Sequence, residues 1–222
     1  MLIPIPAQRV VALLAIKRRR LPRLNVAGTL WMDSTDDKAL GSLRSSLWRL
    51  RGSEVVLSRG STLEIDPAVM VDVFTAEEAA RTILRGGLPL AGVLDQLLEW
   101  GELLPGWYDD WVVDERDRLL ELRLQALEEL ALRLVGAGRL GEAVEAGLAI
   151  VAADPLRESG HAVLITAFVE QGNQALAFRH YEKVRSLLHR ELGIEPSPRL
   201  RSALPRRRLV AIPEADASLT SR

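Results

Sequence analysis

The sequence contains no cysteine and only three histidines. The first absence excludes a disulfide framework, a thiol nucleophile, a Cys-bearing zinc site and an iron–sulfur cluster. The second leaves little for a histidine metal site: His161, His180 and His189 stand at separations that are not those of a helical metal pair. Aromatic residues make up 5% of the chain, and no apolar run approaches the ~18 residues of a membrane span. A signal peptide is not expected either. The short apolar stretch Val10–Ile16 is followed, not preceded, by the basic cluster Lys17–Arg20. A cytoplasmic location with no membrane contact is the resulting expectation.

What is present is 222 residues, 48% hydrophobic and 27% charged, with 29 Lys+Arg against 30 Asp+Glu. That length and balance predict one large or two small globular domains. The near-zero net charge hides an asymmetry. Residues 1–60 carry 11 basic and 4 acidic side chains, residues 61–204 carry 14 and 24, and residues 205–222 carry 4 and 2. A basic segment joined to an acidic one is the pattern of a nucleic-acid-facing module attached to a module with another task. Charge alone leaves a solvated basic surface equally open, because a patch raises potential without specifying a ligand.

Apolar spacing predicts helices over Gln8–Ile16 and Leu24–Trp31, joined by a loop at Lys17–Arg23. A third helix is predicted from Asp36 to Arg51, opened by the capping residues Ser34–Asp37 and buried along Leu40, Leu43, Leu47 and Leu50. The alternating runs Val55/Leu57 and Leu63/Ile65 flank Gly60 and predict a hairpin. Three helices followed by a hairpin make a winged helix-turn-helix. Beyond it the pattern is helical. Thr75-x-x-Glu78 reads as a capping box opening a helix to Leu84, and segments follow at Val93–Trp100, Val113–Val135, Leu140–Ala152, Leu156–Glu170 and Asn173–Leu192. The stretches Arg139–Gly172 and Asn173–Leu204 match the helical-hairpin repeat of about 34 residues found in tetratricopeptide proteins. The fold class expected is therefore mainly α: a winged helix at 1–74, an all-α tetratricopeptide-like domain at 75–204 and a tail at 205–222.

Catalytic candidates are weak. Gly136-Ala-Gly-Arg-Leu-Gly141 matches the dinucleotide fingerprint in letters, but that motif needs a strand before it. Here a long amphipathic pattern precedes it, and the glycines read as a turn between helices. Asp109-Asp110 are adjacent and diverge too far to form a catalytic carboxylate pair. No enzyme activity, cofactor or metal is expected.

The third helix carries the chemistry. Opposite its leucine stripe stand Lys38, Gly41, Ser42, Ser45, Trp48 and Arg49, with Arg44 and Ser46 on the flanks and Arg51 nearer the core edge. Small residues permit close approach to a duplex, Arg49 reaches a phosphate or a guanine edge, and Ser45 or Trp48 meets a base or sugar. Lys38, Ser42, Arg44, Ser45, Trp48 and Arg49 are the candidate DNA-binding residues on the helix, and Arg59 is the candidate at the hairpin tip.

At this helix the sequence resembles a known family. Val26-Ala-Gly-Thr-Leu-Trp-Met-Asp33 and Leu43-Arg-Ser-Ser-Leu-Trp-Arg-Leu-Arg51 are similar to a branch of the SARP-type (AfsR-like) bacterial transcriptional activators, which carry an OmpR-type winged helix. Leu104-Pro-Gly-Trp-Tyr-Asp-Asp-Trp111, Gly138-x-x-Gly-Glu-Ala143, Asp154-Pro-Leu-Arg-Glu-Ser159, His161, Gly172, Tyr181 and Leu192-Gly-Ile-Glu-Pro-Ser-Pro198 resemble that family's bacterial transcriptional activation domain. The resemblance covers roughly residues 6–204. It implies binding of double-stranded DNA at promoter repeats, recruitment of RNA polymerase and a homodimer. Two departures stand out: the sequence begins almost at the first helix, where relatives have a small β-sheet, and Ser46 and Trp48 occupy two usually basic contact positions. These departures leave a second reading, a helical-repeat protein-interaction scaffold whose winged helix no longer binds DNA.

Overall fold

The structure, a computed structural model, describes residues 3–87 and 92–205. The expected tail at 205–222 lies outside the described residues except for Pro205, and so does most of the predicted break at Leu88–Gly92. The described chain is mainly helical: ten helices and three short strands, in two compact units.

Of the described residues, the first unit comprises 3–76 and 103–117. Helix α1 (Ile5–Lys17) starts behind Pro4 with a second proline in its first turn, where a missing N–H costs nothing. It packs on α3 (Asp36–Arg49) and on the central strand β3 (Thr62–Ile65), while α2 (Arg23–Leu30) packs across α3. Strand β2 (Val56–Arg59) pairs antiparallel with β3 through a turn in which Gly60 takes φ +60°, the left-handed geometry such hairpins demand. A third strand, β1 (Leu21–Pro22), pairs antiparallel with the other edge of β3, in register Leu21 with Leu63. The expected loop at Lys17–Arg23 is thus partly a strand. Two residues, one of them proline, carry no alternation from which a strand can be read.

The core of this unit gathers Val10, Leu13, Leu14, Val26, Leu30, Leu43 and Leu63, and it also takes Trp111 and Val112. Both stand in the first turn of the helix that opens at Asp110, directly after the Leu104–Asp109 connection. Arg116 donates to the carbonyls of Leu103 (3.0 Å), Leu104 (2.9 Å) and Trp107 (3.0 Å), which ties the loop into one bend. Trp107 and Trp111 meet edge to face at 6.5 Å. Arg9 pairs with Asp109.

Of the described residues, the second unit comprises 77–87, 92–102 and 118–205. Helix α4 runs Asp72–Leu84, so the Thr75 box is not its start. The Asp72 carboxylate accepts from the Val73 N–H (2.8 Å) and places the first turn three residues earlier. Helices α5 (Val93–Glu99), α6 (Asp110–Gly136), α7 (Leu140–Ala153) and α8 (Glu158–Glu170) follow. Asp154 closes α7 and accepts from the Leu156 N–H (3.1 Å), and this local turn delays α8 from the expected Leu156 to Glu158. Helix α9 (Gln174–Leu192) is capped by the Asn173 side chain and ends at Gly193 in the left-handed region. Helix α10 (Pro198–Ser202), not expected from the sequence, is capped by Ser197 and buries Leu200.

Helices α7 and α8 are in close contact because two glycines allow it. A Cβ on Gly147 would sit 2.8 Å from Leu164, and one on Gly160 would sit 2.5 Å from Ile150. Between α8 and α9 lies a histidine pair. His161 Nδ1 stands 3.1 Å from His180 Nε2, and His161 Nε2 stands 2.9 Å from the Pro155 carbonyl. Because a carbonyl only accepts, Nε2 of neutral His161 carries the proton and its Nδ1 accepts from His180. Gly136-Ala-Gly-Arg-Leu-Gly141 joins α6 to α7. Its N–H groups bond back to the last carbonyls of α6, Gly138 to Val135 (3.0 Å) and Arg139 to Leu134 (2.9 Å). That is a helix-ending turn and leaves no phosphate cradle.

Candidate nucleic-acid interface

Helix α3 is set by its own sequence. Asp36 and Asp37 occupy the first turn and Arg49 the last, which suits the helix dipole at both ends. Its buried residues are Ala39, Leu43 and Ser46, with Leu50 just past its end, while Leu40 and Leu47 are half-buried. The inward face is therefore turned slightly from the leucine stripe. Ser46, expected on a flank, is only 4% exposed, and its hydroxyl donates to the Ser42 carbonyl at 2.9 Å. A serine can be buried at that point because the backbone one turn back satisfies its proton. Leucine periodicity missed it since hydrophobicity ranks serine as polar.

Lys38, Arg44, Ser45, Trp48 and Arg49 are all exposed, and Gly41 and Ser42 are half-buried. Trp48 is 60% exposed, a large apolar surface held in water. The Arg49 guanidinium lies 5.3 Å from its ring centroid, within cation–π range. Ser45 donates to the Gly41 carbonyl (3.1 Å), which leaves its oxygen as an acceptor towards solvent. Arg51, expected nearer the core edge, is exposed as well.

Two clefts border α3. One, of about 990 Å³, is lined by Arg23, Arg44, Trp48, Arg51 and Ser58 among others. The second, of about 770 Å³, is lined by Trp31, Lys38, Ser42, Ser45 and Arg49. The predicted helix residues thus divide between the two clefts, Arg44 and Trp48 in one and Lys38, Ser42, Ser45 and Arg49 in the other, and do not converge on one atom. Such a surface suits a groove-shaped partner better than a small substrate. Arg59 lies on β2 and lines neither cleft. Its Nε donates to Glu64 Oε1 at 2.7 Å, and Arg20 Nε donates to Glu64 Oε2 at 2.8 Å. The hydrogen bond from Arg20, the largest influence, holds the Glu64 carboxyl below its usual range. Partial desolvation opposes this, and the bond from Arg59 adds to it. Arg23 Nη2 donates to Ser58 Oγ at 2.6 Å. Arg20, Arg23 and Glu64 escaped the sequence reading because only the pairing of β1 with β3 brings residues 20–23 beside the hairpin.

Residues 75–206 match the family described as the bacterial transcriptional activator domain. The chain belongs to that family. The SARP-type resemblance read from the motifs holds: the regulatory protein AfsR of Streptomyces coelicolor is 36% identical over 88% of this chain, and AfsR of Streptomyces griseus is 33% identical over the same share. The regulatory protein DnrI of Streptomyces peucetius is 34% identical over 64% of this chain and 54% of its own length. The chain spans about a fifth of the AfsR proteins, 21% in each case. Among solved structures, Mycobacterium tuberculosis EmbR, in complex with a low-affinity phosphopeptide, matches 91% of this chain and 59% of its own with a TM-score of 0.69 and 22% identity. At that identity the likeness speaks for the fold. The named relatives are regulatory proteins, and among the described residues no helix is long and apolar enough to cross a membrane.

Proposed function

We propose that the chain is a DNA-binding transcriptional regulator, an activator whose N-terminal unit is a winged helix-turn-helix and whose remaining helices form a tetratricopeptide-like activation domain. The reading keeps the division at residues 1–74 and 75–204, with the 103–117 connection completing the N-terminal unit. Helix α3 is the recognition element. Lys38, Arg44 and Arg49 bind phosphate or guanine, Ser42 and Ser45 let the helix approach, Trp48 packs on base or sugar edges, and Arg59 reaches the backbone from the wing. The second unit contacts RNA polymerase and supports a homodimer on repeated half-sites. The chain is no enzyme, needs no cofactor and acts in the cytoplasm, on the nucleoid.

The observation that carries this reading is the outward face of α3, where three cations and an exposed indole are presented on a rigid helix whose other face is core. Membership of the activator-domain family supports it. The test is fluorescence anisotropy with the duplex upstream of its own operon. Affinity is expected to fall steeply with salt, by about 0.9 in log–log slope for each phosphate contacted. A flat salt dependence, or no binding at low salt, overturns the reading. Retention of a protein partner in that case would mark a scaffold instead.

A further inference from the structure

Glu64 sits on the central strand β3, with Leu57 opposite it on β2 and Leu21 opposite its neighbour Leu63 on β1. The pleat sends Leu63 inward, fully buried, and Glu64 to the other face. Arg20, one residue before β1, and Arg59, at the end of β2, reach the same carboxylate from opposite edges of the sheet. Both arginine side chains are 60% exposed, while the Glu64 side chain is 16% exposed. A guanidinium has five N–H donors in a flat fork, and one carboxylate oxygen satisfies a minority of them. Two forks therefore face solvent with donors to spare, gathered on one shared acceptor.

A phosphodiester group matches what Glu64 supplies there: one negative charge spread over two acceptor oxygens. We propose that Arg20 and Arg59 form a single backbone-phosphate clamp on the outer face of the sheet, and that Glu64 is its built-in competitor. The proposal rests on the DNA reading above and assigns a residue, Arg20, that the recognition helix does not include. Its consequence is specificity. The clamp binds any duplex, so an internal anion that weakens it lowers sequence-independent affinity and leaves discrimination to α3. The phosphate must displace one or both Glu64 bonds, and the carboxylate then turns to water.

The test compares the full chain with Glu64→Gln, Arg20→Gln plus Arg59→Gln, and the triple variant. Each is titrated with the upstream duplex and an unrelated duplex of equal length. Glu64→Gln is expected to tighten both duplexes by about three- to tenfold and to steepen the salt slope by about 1, one further phosphate engaged. In the Arg20→Gln, Arg59→Gln background the same change is expected to alter affinity less than about twofold. Weaker binding by a folded Glu64→Gln protein overturns the proposal. So does equal tightening in both backgrounds, which would mark a general charge effect. A wild-type protein that binds no duplex refutes the DNA reading alone, so a second probe addresses the clamp. Inorganic tripolyphosphate is expected to move the Arg20 and Arg59 Nε–H resonances at lower concentration in Glu64→Gln than in wild type, and unmoved resonances overturn the clamp.

Discussion

Positions 46 and 48 are two residues apart on one helix, yet they lie in different solvents. Trp48 stands in water and Ser46 in the core, although resemblance to OmpR-type helices makes both of them contact positions. Restoring a cation at each should therefore have opposite results. Trp48→Arg is expected to leave the melting temperature within about 2 °C and to change DNA affinity and its salt slope, since the side chain is already solvated. Ser46→Arg buries an unpaired cation beside Leu43 and Leu50. It is expected to destabilise the fold by about 3 kcal/mol or more, or to prevent folding. Urea melts beside anisotropy titrations check both. A stable Ser46→Arg protein that binds DNA more tightly would refute the burial argument. Periodicity misjudged the inward turn of Ser46, because its polar group is satisfied by a bond that no residue scale contains.

At the scale of the elements, the α7–α8–α9 packing makes two claims that melts can check. Gly160→Ala forces a methyl to within 2.5 Å of Ile150, and overpacking of this kind costs about 1–3 kcal/mol. The matching substitution at Gly141, where a Cβ meets nothing within 4 Å, is expected to be neutral or slightly stabilising. The histidine pair makes the second claim. Burial first, then the neighbouring His161 and Lys183, push His180 down to about 4, and burial also lowers His161 against the pull of the Pro155 carbonyl, Glu158 and Asp154. Between the ordinary value of 6.5 and about 4 the unfolded chain binds a proton that folded His180 refuses. Stability therefore decreases as pH falls through that window and is whole above it, by on the order of 2 kcal/mol once partial exposure is allowed for. Urea midpoints at about pH 7.5, 6 and 5 are expected to fall in wild type and to fall less in His180→Gln. The spacing of the histidines in sequence concealed this contact, since it depends on how two helices are rotated about each other.

For the molecule as a whole, the division of the chain matters more than the count of its helices. Residues 103–117 lie within the stretch matched by the activator-domain family, yet they complete the core of the first unit. Trp111 and Val112 are buried there beside Val10, Leu14 and Leu30, and Arg9 pairs with Asp109. A fragment ending at Ala76 is thus expected to lose cooperative unfolding and to bind a hydrophobic dye. In the full chain, Trp111→Ala is expected to cost about 3–5 kcal/mol and to weaken DNA binding through loss of fold. Calorimetry of both proteins decides it: a fragment that melts as sharply as the full chain would show the connection to be dispensable.

Composition and periodicity are local, and they were enough to find the helices from Gln8 to Leu192, the hairpin about Gly60 and the exposed face of α3. Each is encoded by residues within a turn or two of one another, where the 3.6-residue and two-residue periods are written directly. The motifs of the second half were enough to mark the family. The third strand, the burial of Ser46, the seating of Trp111, the histidine pair and the Arg20–Glu64–Arg59 cluster join residues up to a hundred positions apart or depend on the rotation of one element against another. Such contacts leave no period in the sequence, because the force that makes them is close packing around a shared core, and only the folded chain brings its walls together.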